Sequence, residues 1–408
     1  SGSGTKTTPS GTSVTSLLTI SGSAKDSIPA GLNLSVGSLN LGGNGTVSGT
    51  WGSTTATTAT YKTNTYFAGT TGYLTIATST ALNPTVTPTV GSYTYNGSAQ
   101  GPNAATNSGT GSSYTYSYSG TGGTTYGPSS TAPTNAGTYT VTVTVAASTD
   151  GFYNAASSAA TAFTIATKTL TIGAATIASK TYNGLTATGA ITPGSLSGLV
   201  STQTLVVTAT GTYANANVGN GKSATITYSL ADGTNGGLAA NYSLANGLGT
   251  GNITVASLTI TANNDSKTYG QTKTYGAGST TFTSSGLQNG ETIGSVNMTA
   301  SGGATAASAV GNYTLTPSAA TGGTFTASNY SISYSNGTLT VNTASLTITG
   351  ISANNKAYDG TTTATLSGTA AYSGLVNSES FLVTGTPTAS FASSAVGTGI
   401  AVTVSGYT

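Results

Sequence analysis

The sequence predicts an all-β chain, a tandem array of small Ig-like β-sandwich modules of about 88 residues forming an elongated rod or fibre. Three observations predict it. Tyr95, Tyr182, Tyr269 and Tyr358 recur 87, 87 and 89 residues apart, each followed by Gly or by Asn/Asp-Gly, and Leu170-Thr-Ile172, Leu258-Thr-Ile260 and Leu346-Thr-Ile348 keep a spacing of 88. A fixed period of this length marks a repeat architecture. Strand patterns fill the copies: Tyr139-Thr-Val-Thr-Val-Thr-Val145 alternates apolar and hydroxyl residues, which sends one face to a core and the other to water. Shorter runs at Ile226 to Tyr228, Tyr330 to Tyr334 and Val402 to Val404 do the same. No stretch holds a 3.6-residue apolar period, 58 glycines weaken any helix, and Asn-Gly turns separate the apolar runs.

Aligning the copies gives modules at 81–167, 168–256, 257–344 and 345–408, preceded by an atypical β-rich region at 1–80. Each full copy opens with a strand, passes the Tyr-Gly turn and reaches Ala136-Gly137, Val218-Gly219 or Val310-Gly311. It then runs through Tyr153-Asn154, Asn241-Tyr242 or Asn329-Tyr330 to a closing strand at Phe163 to Ile165, Ile253 to Val255 or Leu339 to Val341. Seven or so short strands suit a two-sheet sandwich. The last apolar residue of one copy and the first Leu of the next are separated by odd steps (165 to 170, 255 to 258, 341 to 346), so an extended chain would turn its apolar face from one core to another. Linkers this short predict stiff joints. In region 1–80, Leu32, Leu34, Val36, Leu39 and Leu41 alternate among glycines, which fits a solenoid end or a degenerate sandwich; Leu18-Thr-Ile20 and Leu74-Thr-Ile76 favour the sandwich. Module 345–408 stops short of the Asn-Tyr segment and closing strand. That predicts an open edge, filled by continuing chain or by a neighbouring molecule's strand.

Composition narrows the chemistry. The 408 residues include 9 Lys, 7 acidic residues and no Arg, His or Cys, so imidazole bases, thiolates, zinc sites and disulfides are absent and an enzyme is not expected. A net charge of +2 without a basic stripe argues against nucleic acid, and the lack of 18 consecutive apolar residues argues against membrane insertion. The opening Ser1-Gly-Ser-Gly4 is neither a Met start nor a signal peptide, which predicts an excerpt of something longer.

Several motifs occur in an order that resembles a known family. Ser266-Lys-Thr-Tyr-Gly270, Ser285-Gly-Leu-Gln-Asn-Gly-Glu291, Val310-Gly-Asn-Tyr313, Asn329-Tyr-Ser-Ile-Ser333 and Asn336-Gly-Thr-Leu-Thr-Val341 resemble the MBG domain of the Tyr-Gly type in bacterial surface adhesins. Ser179-Lys-Thr-Tyr-Asn-Gly184 and Lys356-Ala-Tyr-Asp-Gly-Thr-Thr362 resemble the YDG domain that alternates with it in filamentous-haemagglutinin-type exoproteins. Module 81–167 is MBG-like but has Gly91-Ser-Tyr-Thr-Tyr-Asn-Gly97 without the Lys; 168–256 is YDG-like, 257–344 MBG-like and 345–408 an incomplete YDG-like copy. The resemblance implies a secreted, extracellular or cell-surface bacterial protein with no catalytic residues.

The candidate site residues are the repeat signature itself: Tyr95, Tyr182, Tyr269 and Tyr358 with Gly97, Gly184, Gly270 and Gly360. Tyr beside Lys180, Lys267 or Lys356 fits a sugar platform, but the structural reading is favoured, with Tyr at the core edge and Gly supplying a turn with positive φ. Asp265, Glu291, Asp359 and Glu379 offer oxygens for Ca²⁺ only singly, so no metal and no cofactor is expected. Asn-x-Ser/Thr sequons include Asn33, Asn44, Asn96, Asn241, Asn252, Asn264, Asn297, Asn312, Asn329 and Asn336. Gly247-Leu-Gly-Thr-Gly251 lacks the Lys and helix of a phosphate loop and is read as a turn. Together these predict a structural component of an extracellular fibre or cell-surface stalk, self-associating or continuing into further repeats and assembling by strand complementation. The alternative is a multivalent adhesin that binds glycans or host proteins through its repeats.

Overall fold

The structure is a computed structural model that describes residues 5–7 and 14–408; the Ser1-Gly-Ser-Gly4 start lies outside them. The described chain is all-β, its only helical turns being the one-turn 3-10 segments Ala239–Asn241 and Ala327–Asn329. It divides into two compact units. One is Ser1–Ala175 with Pro193–Ala209 and Thr227–Gly247; the other is Thr176–Thr192 with Thr210–Ile226 and Leu248–Thr408.

Module 257–344, in the second unit, displays the plan most fully. Its opening strand Ala256–Ala262 is the centre of a three-stranded sheet, antiparallel to Phe282–Ser285 and parallel to Tyr330–Ser335. The second sheet runs in the order Asp265–Thr268, Gly337–Asn342, Gly311–Gly323, Ile293–Ala300, the first pair parallel and the others antiparallel. Leu258, Ile260, Leu315, Leu339 and Val341 are buried from the two sheets, while Thr and Ser between them face outward, as the period-2 pattern requires.

In the first unit, module 81–167 repeats this second sheet as Tyr93–Thr94, Thr161–Ala166, Gly137–Val145, Tyr114–Thr121. Tyr139, Val141, Val143 and Val145 are buried and the threonines between them are not, as read from the sequence. The closing strand Thr161–Ala166 and the next opening strand Lys168–Ile172 lie in different sheets, which the odd step across the joint favours. Their cores nevertheless merge: Ile165 and Leu170 belong to one buried cluster that also holds Tyr95, Phe163 and Tyr242. Lys168–Ile172 pairs parallel with Tyr242–Leu244 and antiparallel with Leu196–Ser197, the arrangement seen around Ala256–Ala262.

Region 14–80 follows another plan. Asn33–Leu41 lies parallel both to Val14–Ile20 and to Tyr73–Ile76, so that Leu18 faces Leu39, Ile20 faces Leu41, Leu34 faces Leu74 and Val36 faces Ile76. In the same sheet, on strand Gly49–Gly52 antiparallel to Tyr73–Ile76, Trp51 is fully buried, stacked on Tyr61 at 4.8 Å, with its indole N–H donated to the Val47 carbonyl at 3.1 Å. Phe152 of module 81–167 packs on the same indole at 5.9 Å.

One sequence reading is corrected. Gly247-Leu-Gly-Thr-Gly251 is not a turn but the start of strand Gly247–Thr254. Its glycines are needed for closeness: a Cβ at Gly251 would lie 2.2 Å from the Tyr213 hydroxyl, and one at Gly249 2.8 Å from Ile226.

In module 345–408 the opening strand Thr347–Ala353 pairs, among the described residues, with Leu366–Ser373 alone. Among the described residues Val402–Tyr407 pairs with Gly385–Phe391 alone, whereas its counterpart Gly311–Gly323 is flanked on both edges.

Candidate functional site at the joints between modules

The signature tyrosines do not serve their own modules alone. Each of the first three reaches into the module that follows, and each of these joints lies within one compact unit.

At the joint of 81–167 with 168–256, Tyr95 is 3% exposed, and its ring stands edge-on to Tyr242 at 5.3 Å. Gln203 joins the two phenols. Its amide nitrogen donates to the Tyr95 oxygen at 2.8 Å, and its carbonyl accepts from the Tyr242 hydroxyl at 2.5 Å. The Tyr242 oxygen also accepts the Val200 N–H at 3.0 Å. Beside this, Asn241 is 1% exposed; its carbonyl accepts the Ala136 N–H at 2.8 Å and its amide donates to Asn135 at 3.1 Å.

The joint of 168–256 with 257–344 is built the same way with a carboxylate in place of the amide. Tyr182 and Tyr330 stand edge-on at 5.4 Å and both donate to Glu291, Tyr330 at 2.5 Å. Gln288 N–H donates to the Tyr330 oxygen at 2.9 Å, and Asn329 repeats the part of Asn241 on Val218 and Asn217. Burial first, and then the Glu291 carboxylate, pushes the Tyr330 phenol up to about 12 and the Tyr182 phenol upward as well. Burial is the main cause of the upward shift of Tyr242 too. Hydrogen bonds to a charged acceptor contribute about 1.5–3 kcal/mol net, and an edge-on aromatic pair about 0.5–1.5 kcal/mol.

At the joint of 257–344 with 345–408, Tyr269 donates to Glu379, and the amide of Asn377 donates to the Ala306 carbonyl at 3.1 Å.

The receiving loop is the part that the tyrosine count does not reveal. Gly198-Leu-Val-Ser-Thr-Gln203, Gly286-Leu-Gln-Asn-Gly-Glu291 and Gly374-Leu-Val-Asn-Ser-Glu379 recur at a spacing of 88, which is the signal that could have found them. Each turns on a left-handed residue, Ser201, Asn289 or Asn377, at φ of 50°, 50° and 52°. That residue or its neighbour meets the signature glycine. A Cβ on Gly97 would lie 2.7 Å from Val200, on Gly184 2.4 Å from Asn289, and on Gly270 2.8 Å from Val376. These glycines also have φ of 82°, 72° and 92°, so both the turn and the joint exclude a side chain. Gly360, at φ 76°, faces open space, and Tyr358 is 69% exposed.

The sugar-platform reading of Tyr95 and Tyr182 therefore meets closed joints, whereas Tyr269 is half-buried. The lysines beside them tie down their own loops. Lys180 donates to Asn183 and to the Leu185 and Ala187 carbonyls, and Lys267, 3% exposed, to the Gln271 and Thr305 carbonyls. Lys356 pairs with Asp359 at 2.9 Å, which holds that carboxyl down at about 2. Asp265 pairs with Lys273 and accepts from Tyr275, and these bonds lower it although burial acts the other way. Thus the four acids considered for Ca²⁺ stand apart, each with its own partner. No group of three or more His, Cys, Asp or Glu that could hold a metal ion occurs among the described residues. Burial leaves no room for a glycan on Asn241 or Asn329. No helix among the described residues is long and apolar enough to cross a membrane.

Comparison with known proteins agrees with the motif reading over the second part of the chain. Residues 258–340 match the MBG domain (YGX type), and residues 166–248 and 342–408 match the YDG domain. Stretch 166–408 is therefore an MBG/YDG-type repeat region. No curated protein matches the chain. Among solved structures, the crystal structure of Drosophila N-cadherin EC1-4 aligns over 66% of this chain and 78% of that one at 9% identity. The TM-score of 0.17 is too low for the likeness to bear on the fold.

Proposed function

We propose that this chain is part of an extracellular or cell-surface stalk or fibre of a bacterial filamentous-haemagglutinin-type exoprotein. Its repeats set length, and its joints hold each repeat to the next. The observation that carries this reading is the recurrence of one joint: tyrosine and glycine from one module against a Gln- or Glu-bearing loop of the next, three times over. A repeat joined by buried hydrogen bonds transmits position and load, whereas one joined by a free linker does not. The role is cohesion without catalysis, the partners being further repeats or further copies of the chain rather than nucleic acid or the membrane interior. Assembly by strand complementation is the finer part of the proposal.

Small-angle X-ray scattering tests the reading. Tyr182→Ala and Tyr269→Ala should convert the profile of a rigid particle to that of a flexible one; unchanged flexibility would sink it. Hydrolytic activity lost on substituting Glu291 or Glu379 would overturn its non-enzymatic part. The second reading, a multivalent adhesin, draws support from a cleft of about 570 Å³ in module 345–408, lined in part by Lys356, Tyr358 and Phe391. Binding of the intact chain on a glycan array, lost with Tyr358→Ala, would favour it.

A further inference from the structure

In module 257–344 the segment by which the chain enters and the segment by which it leaves lie side by side. Ala256–Ala262 runs parallel to Tyr330–Ser335 in the first sheet, with Ala256 facing Tyr330 and Thr261 facing Ser335. Both segments then pass into the second sheet in the same register: Asp265–Thr268 runs parallel to Gly337–Asn342, with Asp265 facing Leu339 and Thr268 facing Asn342. The offset is 74 residues throughout. Between the two sheets the Asn264 side-chain carbonyl accepts the Thr338 N–H at 2.9 Å, and Gly337 passes so near that a Cβ on it would lie 2.7 Å from the Ala262 carbonyl oxygen. The row ends on the signature tyrosine, where the Tyr269 backbone N–H donates to the Asn342 carbonyl at 2.8 Å. Shorter rows stand in the two copies before it. Lys168–Ile172 pairs parallel with Tyr242–Leu244 and Lys180–Thr181 with Gly247–Thr254 in one, and Tyr93–Thr94 with Thr161–Ala166 in the other. In both, the tyrosine N–H again closes the row, Tyr182 on the Thr254 carbonyl and Tyr95 on that of Ala166.

We infer that this row is a mechanical clamp, which makes the module resist tension applied along the chain. A pull on the chain draws the entering segment by its first residue and the leaving segment by its last. In a parallel pair these are opposite ends, so the two strands are driven past one another and their evenly spaced bonds are loaded together. In an antiparallel pair the same pull would start at one end and open the bonds in turn. Force entering at Ala256 and leaving at Asn342 crosses the row directly, and the strands between them in sequence take load only once the row parts. Sliding also drags Leu258, Ile260, Leu339 and Val341 out of the core, and Lys267, tied to the Gln271 and Thr305 carbonyls, holds the middle of the row in place. Resistance to force is set by the barrier to unfolding, which this topology raises for one direction of pull. That tension acts on the chain in service rests on the stalk reading; the clamp is a property of the module.

The test pulls the full chain in optical tweezers by paired cysteines, since the sequence has none of its own. Ser257→Cys with Thr343→Cys loads the row in shear. Ser257→Cys with Ser331→Cys peels the same row from one end, because residues 257 and 331 face each other. All three side chains are exposed, so the substitutions leave the core untouched. At one pulling rate the shear pair should need at least about twofold the force of the peeling pair to unfold the module, because the ladder bonds part together in the first case and singly in the second. A smaller ratio would overturn the clamp. The scattering comparison of Tyr182→Ala and Tyr269→Ala tests the stalk reading separately. Unchanged profiles there would sink that reading and leave the clamp standing, and a small force ratio beside altered profiles would do the reverse.

Discussion

Modules 257–344 and 345–408 begin with the same Leu-Thr-Ile strand, yet Leu258 is 1% exposed and Leu346 is 42% exposed. The difference lies in what flanks the strand. Ala256–Ala262 has Tyr330–Ser335 along one edge, and Asp265–Thr268 has Gly337–Asn342, while among the described residues Thr347–Ala353 and the Lys356-Ala-Tyr358 segment have no such neighbours. The Asn-Tyr strand and the closing strand thus do two tasks together. They cover the core, and they carry the second ring of the joint on the preceding side. Core and joint are one construction, which is why the buried cluster around Ile165 continues through Leu170 to Tyr242.

The comparison breaks most readily at the two leucines. Leu258→Ala should cost about 2–5 kcal/mol, as for other fully buried leucines. Leu346→Ala should cost within about 0.5 kcal/mol, as for exposed positions. Urea unfolding followed by segment-resolved hydrogen exchange reads both, and equal costs would contradict the difference in burial.

Alkaline titration comes next. A phenol whose folded value lies above its unfolded value of about 10 contributes stability that is present below pH 10 and lost as pH rises through 10 towards the folded value. For Tyr330, raised to about 12, this loss falls between pH 10 and 12. Two units correspond to up to about 3 kcal/mol. The ultraviolet absorbance of tyrosinate should show a late-ionising component that Glu291→Ala brings earlier.

Substitution at the acceptor should give about 1–3 kcal/mol for Glu291→Ala, because two buried hydroxyls lose their partner, and less for Glu379→Ala, which strands one. Glu291→Gln should be nearly silent, since Gln203 already joins two phenols in the first joint. Opening free energies of the loop amides measure all three.

The smallest contrast concerns the glycines. Gly360→Ala places a side chain in open space at positive φ and should cost about 1–2 kcal/mol from the backbone alone. Gly270→Ala carries the same backbone strain plus a contact at 2.8 Å with Val376, so it should cost more and loosen the joint. Equal melting temperatures for the two variants would argue that the turn, not the joint, selects glycine.

Much of this was legible in the sequence and some was not, for identifiable reasons. Period-2 runs such as Tyr139 to Val145 reveal strand and face directly, since only local geometry is involved. The positive φ of the Tyr-Gly turns is equally local. The role of the tyrosines was not legible from the turn, because a phenol at the edge of one core and a phenol between two modules have the same neighbours in sequence. The 88-residue spacing of Gln203, Glu291 and Glu379 held the missing half of the pattern, but only the fold brings residue 182 to residue 291. Lys267 was likewise unreadable: a lone lysine in a turn is ordinarily solvated, and here two loop carbonyls replace the water.

The account turns on the energetic link across a joint, and a double-mutant cycle between Tyr182 and Glu291 measures it most directly. Tyr182→Phe, Glu291→Ala and the pair of them are compared by the opening free energy of the loop amides of residues 286–291, from hydrogen exchange. A coupling of about 1–2 kcal/mol is predicted for residues in one buried hydrogen-bonded network. Additivity within about 0.3–0.5 kcal/mol, the value for independent sites, would contradict the clasp.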